Sequence, residues 1–183
     1  LLIIPFFFLA MGAEWLWGYM KKKNLYRLND SLNNLTVGLG QQLWNVLSKV
    51  FLFGLYMVIY DNYAFFHIPA TWWSFVLALI AFDFFFYWAH RWGHKVNLFW
   101  GAHGVHHQSE FYNLSVALRQ SWIHAALAFA IFLPIPFLGV DPVTFFGILS
   151  INSFYQFWIH TDLIKRMPRW FEVIFNSPAH HRV

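Results

Sequence analysis

Long apolar runs, each near the length of a membrane-crossing helix, alternate with short polar segments along this chain. A spanning helix takes about 20 mainly apolar residues, and the segments 1–20, 46–63, 70–89, 121–138 and 143–160 approach that length. The last two are short and separated only by Gly139–Pro142, so a tight hairpin is expected there. Pro134 and Pro136 are expected to bend or end the fourth segment. The polar stretch Asn24–Gln42 predicts an interfacial segment leading into the second helix. Leu1–Ala10 has neither a basic flank nor a small-residue cleavage site, which favours a membrane helix over a signal peptide. No repeat, linker or low-complexity tract interrupts the chain, so one domain over 1–183 is expected. Lacking an initial Met and stopping at Val183, the chain is expected to be a piece of a longer protein, truncated at its C-terminus. The predicted fold class is all-α: an integral membrane helical bundle of four to five membrane helices.

Composition strengthens this picture. Hydrophobic residues make up 59% of the chain and charged residues 11%, against roughly 45–50% and 25% in soluble domains. So few charges cannot cover that much apolar surface in water, but a bilayer can. The same figures exclude a disordered chain and a nucleic-acid partner. The net charge of +4 makes sense through its placement. Lys21, Lys22, Lys23, Arg27, Arg91, Lys95, Arg119, Lys165, Arg166, Arg169 and Arg182 all fall on one side if the five segments alternate. Asp61–Pro69 and Gly139–Pro142, on the other side, hold no Lys or Arg. Lys49 alone is off pattern and can snorkel. Basic loops face the cytoplasm, in the endoplasmic reticulum of a eukaryote or the inner membrane of a bacterium. Cysteine is absent, which removes disulfide, zinc-thiolate and iron–sulfur chemistry.

The ten histidines change the picture most. Eight of them, His90, His94, His103, His106, His107, His160, His180 and His181, map to the basic interface. His90 and His94 are one helical turn apart and can grip one ion; His103, His106 and His107, at i, i+3, i+4, are expected to do the same from a second short helix. A lone HxxxH, an HGVHH or an adjacent histidine pair is weak by itself; their coincidence at one interface of a small membrane protein points to a metal site. Eight imidazoles exceed the roughly four to six ligands of one ion, so a di-metal site is predicted, with the metal left open among Fe, Zn, Cu and Ni. His67 is expected to be an ordinary loop residue, and His124, one turn after Gln120, is set aside as a ligand. Asp83, with Tyr87, His90 and His94, stripes one face of the third segment, and an ionisable group in an apolar helix is costly and usually functional. It is a candidate partner for the free N–H of a ligating imidazole. Asn152, Gln156 and His160 form a similar stripe, and Glu110 is counted with these candidates.

HRWGH, HGVHH and PAHHRV, taken together, resemble the fatty acid hydroxylase/sterol desaturase superfamily of membrane di-iron oxygenases, whose pattern is HxxxH, HxxHH and a final HxxHH. HHQSEFYNLSVALRQS (His106–Ser121), YQFWIHTDLI (Tyr155–Ile164), NSPAHHRV (Asn176–Val183) and YRLNDSL (from Tyr26) are similar to its alkylglycerol monooxygenase-like branch. The resemblance implies that His90, His94, His103, His106, His107, His160, His180 and His181 hold two iron ions (Fe2+). The family's last box continues as HHRVHH, and this sequence stops before the second pair. The resemblance also implies O2 as co-substrate, a membrane lipid as substrate, and an external electron donor, tetrahydrobiopterin in that branch. Activity is then expected on the ether carbon of an alkylglycerol, or, as an alternative, on a sterol, fatty acid or carotenoid. A bis-histidine haem electron-transfer protein would instead place single histidines on facing helices at membrane depth, and a divalent-cation carrier would need polar residues across the bilayer; neither pattern is present.

Overall fold

The computed structural model describes residues 3–182, which hold helices and turns and no strand. The helices are α1 (Ile3–Met20), α2 (Leu28–Tyr63), α3 (Trp72–Lys95), α4 (Asn97–His103), α5 (His124–Phe132), α6 (Pro134–Leu138), α7 (Pro142–Trp158), α8 (Arg169–Glu172) and α9 (Pro178–His181); 3-10 turns cover His106–Gln108 and Leu114–Leu118. The chain divides into two compact units. The first gathers the chain through Gly38, His106–Arg119 and the chain from Ser153 onward; the second is Leu39–Val105 with Gln120–Asn152. Because α2 and α7 pass from one unit to the other, no linker marks the division in the sequence.

Two helices among the described residues, α2 and α3, are long and apolar enough to cross a membrane. The fourth apolar segment breaks at Leu133–Pro134 into α5 and α6, because proline fits the first turn of a helix but not its interior. The surface of α2 is inverted relative to a soluble helix. Leu43, Leu47, Val50 and Phe51 are 67% to 73% exposed, while Gln41 and Asn45 are buried. Hydrocarbon, unlike water, accommodates that outward face.

In the second unit the core is aromatic. Tyr56, Phe82, Phe129, Phe132, Phe145 and Ile148 are buried together, with Phe82 and Phe132 stacked at 4.7 Å. The Tyr56 hydroxyl donates to the Val140 carbonyl at 2.8 Å. Thr71 and Ser74 cap α3 reciprocally, each side chain bonding the other's N–H, and so fix where the histidine-bearing helix begins. Gly139 closes α6 at φ 87°, and a Cβ there would sit 1.8 Å from the Phe66 carbonyl oxygen. Left-handed backbone costs a side-chain-bearing residue about 1–3 kcal/mol, and the carbonyl cannot yield without breaking the Phe65–Phe137 and Ile68–Gly139 backbone bonds at 2.7 and 3.1 Å. Gly139→Ala is therefore expected to lower thermal stability in detergent by more than Thr71→Ala, whose lost cap is worth about 1 kcal/mol.

The first unit holds a polar seam. Asn34 is fully buried and donates to Ser109 and Ser115, both at 3.0 Å. Asn113 donates to the Leu25 carbonyl at 2.7 Å. Arg119 donates to Asn34 at 3.2 Å and to Gln108 at 3.0 Å. One expectation is corrected here: the second helix, expected from about 46, starts already at Leu28, so most of Asn24–Gln42 is helical, and its polar residue Asn34 faces buried partners. Arg119 is 5% exposed.

Candidate metal centre

In the second unit, the final turns of α3 carry His90 and His94. Val96, in extended backbone, ends α3 and caps α4, so the chain turns back and α4 delivers His103 to the same place. The His94 Nε2 lies 3.2 Å from the Nε2 of His90 and 3.2 Å from that of His103. Two nitrogens bound at about 2.1 Å to one ion, roughly 90–110° apart, are about 3.0–3.4 Å from each other. The triad therefore already has the spacing of a shared ligand set. His103 is buried and packs on Gly93, where a Cβ would meet its ring at 3.1 Å. Gly93→Ala is expected to push that ring outward and weaken metal retention, measured by chelator competition, with little change in helix content. The His124 ring centre is 5.8 Å from that of His103, so the histidine set aside as a ligand stands beside this triad.

In the first unit, His106, His160 and His181 form a second triad. The His106 Nδ1 donates to the Arg119 carbonyl at 2.9 Å, and the His160 Nδ1 donates to the Gln156 carbonyl at 2.6 Å. A carbonyl only accepts, so a proton sits at each Nδ1, and in its neutral form each ring then presents a lone pair at Nε2. Those two Nε2 atoms face each other at 2.9 Å. Facing lone pairs repel unless a positive charge lies between them, so this donor set fits a cation. Backbone carbonyls that fix the tautomer are the usual supports of ligating histidines. The His181 ring lies 4.5 Å from that of His160 and 5.9 Å from that of His106.

Arg182, next to His181, donates to the carbonyls of Thr161 (3.0 Å), Ile164 (3.1 Å) and Lys165 (3.2 Å). This fastens α9 to the loop after His160. Tyr112 donates to the Ile159 carbonyl at 2.8 Å; burial pushes its phenol well above the ordinary value, so it stays a donor. Glu172 accepts from the Met167 N–H at 2.9 Å and the Ser177 hydroxyl at 3.0 Å. These bonds, the Met167 N–H first, hold its carboxyl below the usual range. A depressed folded-state value stabilises above the ordinary carboxylate pKa of about 4.3 and loses that contribution as pH falls through the folded value. The protection factor of the Met167 amide against hydrogen exchange, taken relative to the free-peptide rate at each pH, is expected to fall with acidification in the unaltered protein, and to be low already at neutral pH in Glu172→Ala.

The other expected site residues fall around these triads. HGVHH does not act as one helical ligand set: α4 ends at His103, and Gly104 and Val105 turn the chain before the 3-10 turn at His106. His103 thus joins His90 and His94, and His106 joins His160 and His181. His107 is exposed, with its ring 5.1 Å from that of His106; His180 is exposed on α9. Asp83 is exposed and makes no hydrogen bond among the described residues, so it supports no imidazole there. Glu110 is exposed and pairs with Arg27 at 2.9 Å. Gln156 contributes its main-chain carbonyl to His160, and Asn152 lies half-buried one turn before it on α7.

Residues 75–183 match the profile described as fatty acid hydroxylase. The chain belongs to the fatty acid hydroxylase family. This hydroxylase-family chain is also 36% identical to alkylglycerol monooxygenase of Danio rerio over 98% of its length. It is 37% identical to the Xenopus tropicalis and Homo sapiens proteins of that name, over 97% and 98% of its length. In each case it spans 40% of the relative's length. No solved structure matches it.

Proposed function

We propose that this hydroxylase-family chain forms the metal-binding membrane part of a non-haem di-iron monooxygenase that hydroxylates a C–H bond of a lipid. The favoured substrate is an alkylglycerol, oxidised at the carbon beside its ether oxygen. The observation that carries the reading is the His106–His160 pair, whose Nε2 lone pairs converge at 2.9 Å with both Nδ1 protons held by carbonyls. His90, His94 and His103 would hold one ion, and His106, His160 and His181 the other, with His107 and His180 at the edges. Two irons so held would supply the oxidising power, with O2, against an unactivated C–H bond. One oxygen atom enters that bond, and the other leaves as water with two electrons and two protons from an external donor, tetrahydrobiopterin in this reading. The resulting hemiacetal collapses to an aldehyde and a glycerol.

The chain's own part is to position and shield. Carbonyls of Arg119 and Gln156 orient two of the ligands, and burial of His103, His106 and His160 limits water. The apolar faces of α2 and α3 fit a bilayer, from which a lipid reaches the site laterally. In the proposed orientation the basic loops and both triads face the cytoplasm of a multi-pass membrane protein. Axial nitrogens on opposite faces of one haem iron would stand about 4 Å apart, twice a metal–nitrogen bond of about 2.0 Å, whereas the Nε2 atoms of His106 and His160 are 2.9 Å apart and that of His94 is 3.2 Å from those of His90 and His103. Elemental analysis of the full-length protein tests the reading: about two irons per chain, without haem absorbance, together with aldehyde release from an alkylglycerol, is expected. Oxidation of a sterol, fatty acid or carotenoid with no action on the ether lipid would reassign the substrate. A protein that binds no metal would overturn the reading.

A further inference from the structure

Glu14 is the one charged residue within α1 (Ile3–Met20), and it is 4% exposed. Among the described residues no cation pairs with it. Such a carboxylate is costly to bury unless hydrogen bonds satisfy it, and three do. Oε2 accepts from the Tyr26 hydroxyl and from the Leu114 N–H at 2.8 Å, and Oε1 accepts from the Thr161 hydroxyl. The donors come from three separate segments, and two of those lead directly to the second triad. Thr161 follows His160, and its hydroxyl oxygen also accepts from the Leu163 N–H at 3.1 Å, which bends the chain away just past the ligand. Leu114 opens the 3-10 turn that ends at Leu118, and the next carbonyl, Arg119, takes the His106 Nδ1 proton. One carboxylate therefore ties the segment that carries His160 to the segment whose carbonyl orients His106.

We infer that Glu14 is a positioning residue for the second triad, holding His106 and His160 at ion-binding separation through Leu114 and Thr161. The inference rests on the proposal that this triad holds an ion. The carboxylate suits the task because its four lone-pair sites only accept, so all three donors are drawn to one point. A glutamine cannot do this. With its oxygen toward Tyr26 and Leu114, its NH2 would face a Thr161 oxygen already accepting from Leu163, and the Thr161 proton would lose its acceptor.

The test uses the full-length protein in detergent, loaded with Co(II), with ion number and affinity read by chelator competition and visible absorption, and folding checked by thermal unfolding. Glu14→Gln and Thr161→Val are expected to keep one ion as tightly as the unaltered protein and to bind the second about 10- to 100-fold more weakly. The absorption of the second ion is expected to shift. Thr161→Ser, which restores the hydroxyl, is expected to recover both affinity and spectrum; a merely space-filling role for Thr161 would not give that recovery. If Glu14→Gln does not accumulate, Thr161→Val leaves the Glu14 bonds to Tyr26 and Leu114 in place and removes only those of the Thr161 hydroxyl, to Glu14 and from the Leu163 N–H, and carries the same expectation. Two tightly bound ions with unaltered spectra in both variants would overturn the inference while leaving the di-metal reading intact. No ion in the unaltered protein would overturn the di-metal reading and the inference with it.

Discussion

His160→Ala in the full-length protein is expected to retain about one metal ion per chain and to lose lipid oxidation, whereas His180→Ala matches the unaltered protein in both. The two residues carry the same imidazole and lie in neighbouring family motifs, so the contrast isolates geometry from residue type. His160 is 4% exposed, with its Nδ1 proton bound to the Gln156 carbonyl and its Nε2 at 2.9 Å from that of His106. Removing its ring leaves His106 and His181 as a pair on a buried site, with no third donor from this triad. His180 is exposed on α9, and His181 is the residue of that pair whose ring reaches the others. Elemental analysis and an aldehyde-release assay measure both variants. Equal metal loss in the two would show that the adjacent pair acts as a unit and that His181 alone is not the ligand.

The sequence disclosed the all-helical class and the gathering of histidines into clusters, because these follow from composition and from the i, i+4 spacing of His90 and His94. It hid what depends on where the chain turns. His103 and His106 look like neighbours on one helical face only if the helix continues, and the end of α4 at His103 sends them to different triads. The rule that an ionisable group in an apolar helix is functional singled out Asp83, yet it applies equally to Glu14; Asp83 is exposed and Glu14 is buried among three donors. Burial is a tertiary property, and spacing along one helix does not encode it. The polar stretch before the second apolar run misled for the opposite reason. Asn34, Gly38, Gln41 and Asn45 recur at i, i+4, i+7 and i+11, a helical face, and all four are buried. Burial of that face lets the helix run through the polar stretch from Leu28, so polarity alone did not mark where the helix begins.

The division of HGVHH between two triads has a direct consequence for double variants. His94→Ala combined with His103→Ala is expected to cost one ion per chain, the same as either single change, because both residues serve the triad in which their Nε2 atoms lie 3.2 Å apart. His94→Ala combined with His106→Ala is expected to cost both ions, because His106 belongs with His160 and His181. Changes within one ligand set are not additive, while changes at independent sites are, so ion stoichiometry reads the partition without a crystal. If HGVHH instead gripped a single ion from one helix, His103→Ala combined with His106→Ala would remove one ion. The partition seen here requires that variant to remove two. Two of the three combinations, His94→Ala with His103→Ala and His103→Ala with His106→Ala, thus have different expected counts under the two arrangements, and lipid oxidation, which needs both ions in the proposed chemistry, falls to background in all three. Activity alone cannot separate the arrangements; counting ions can.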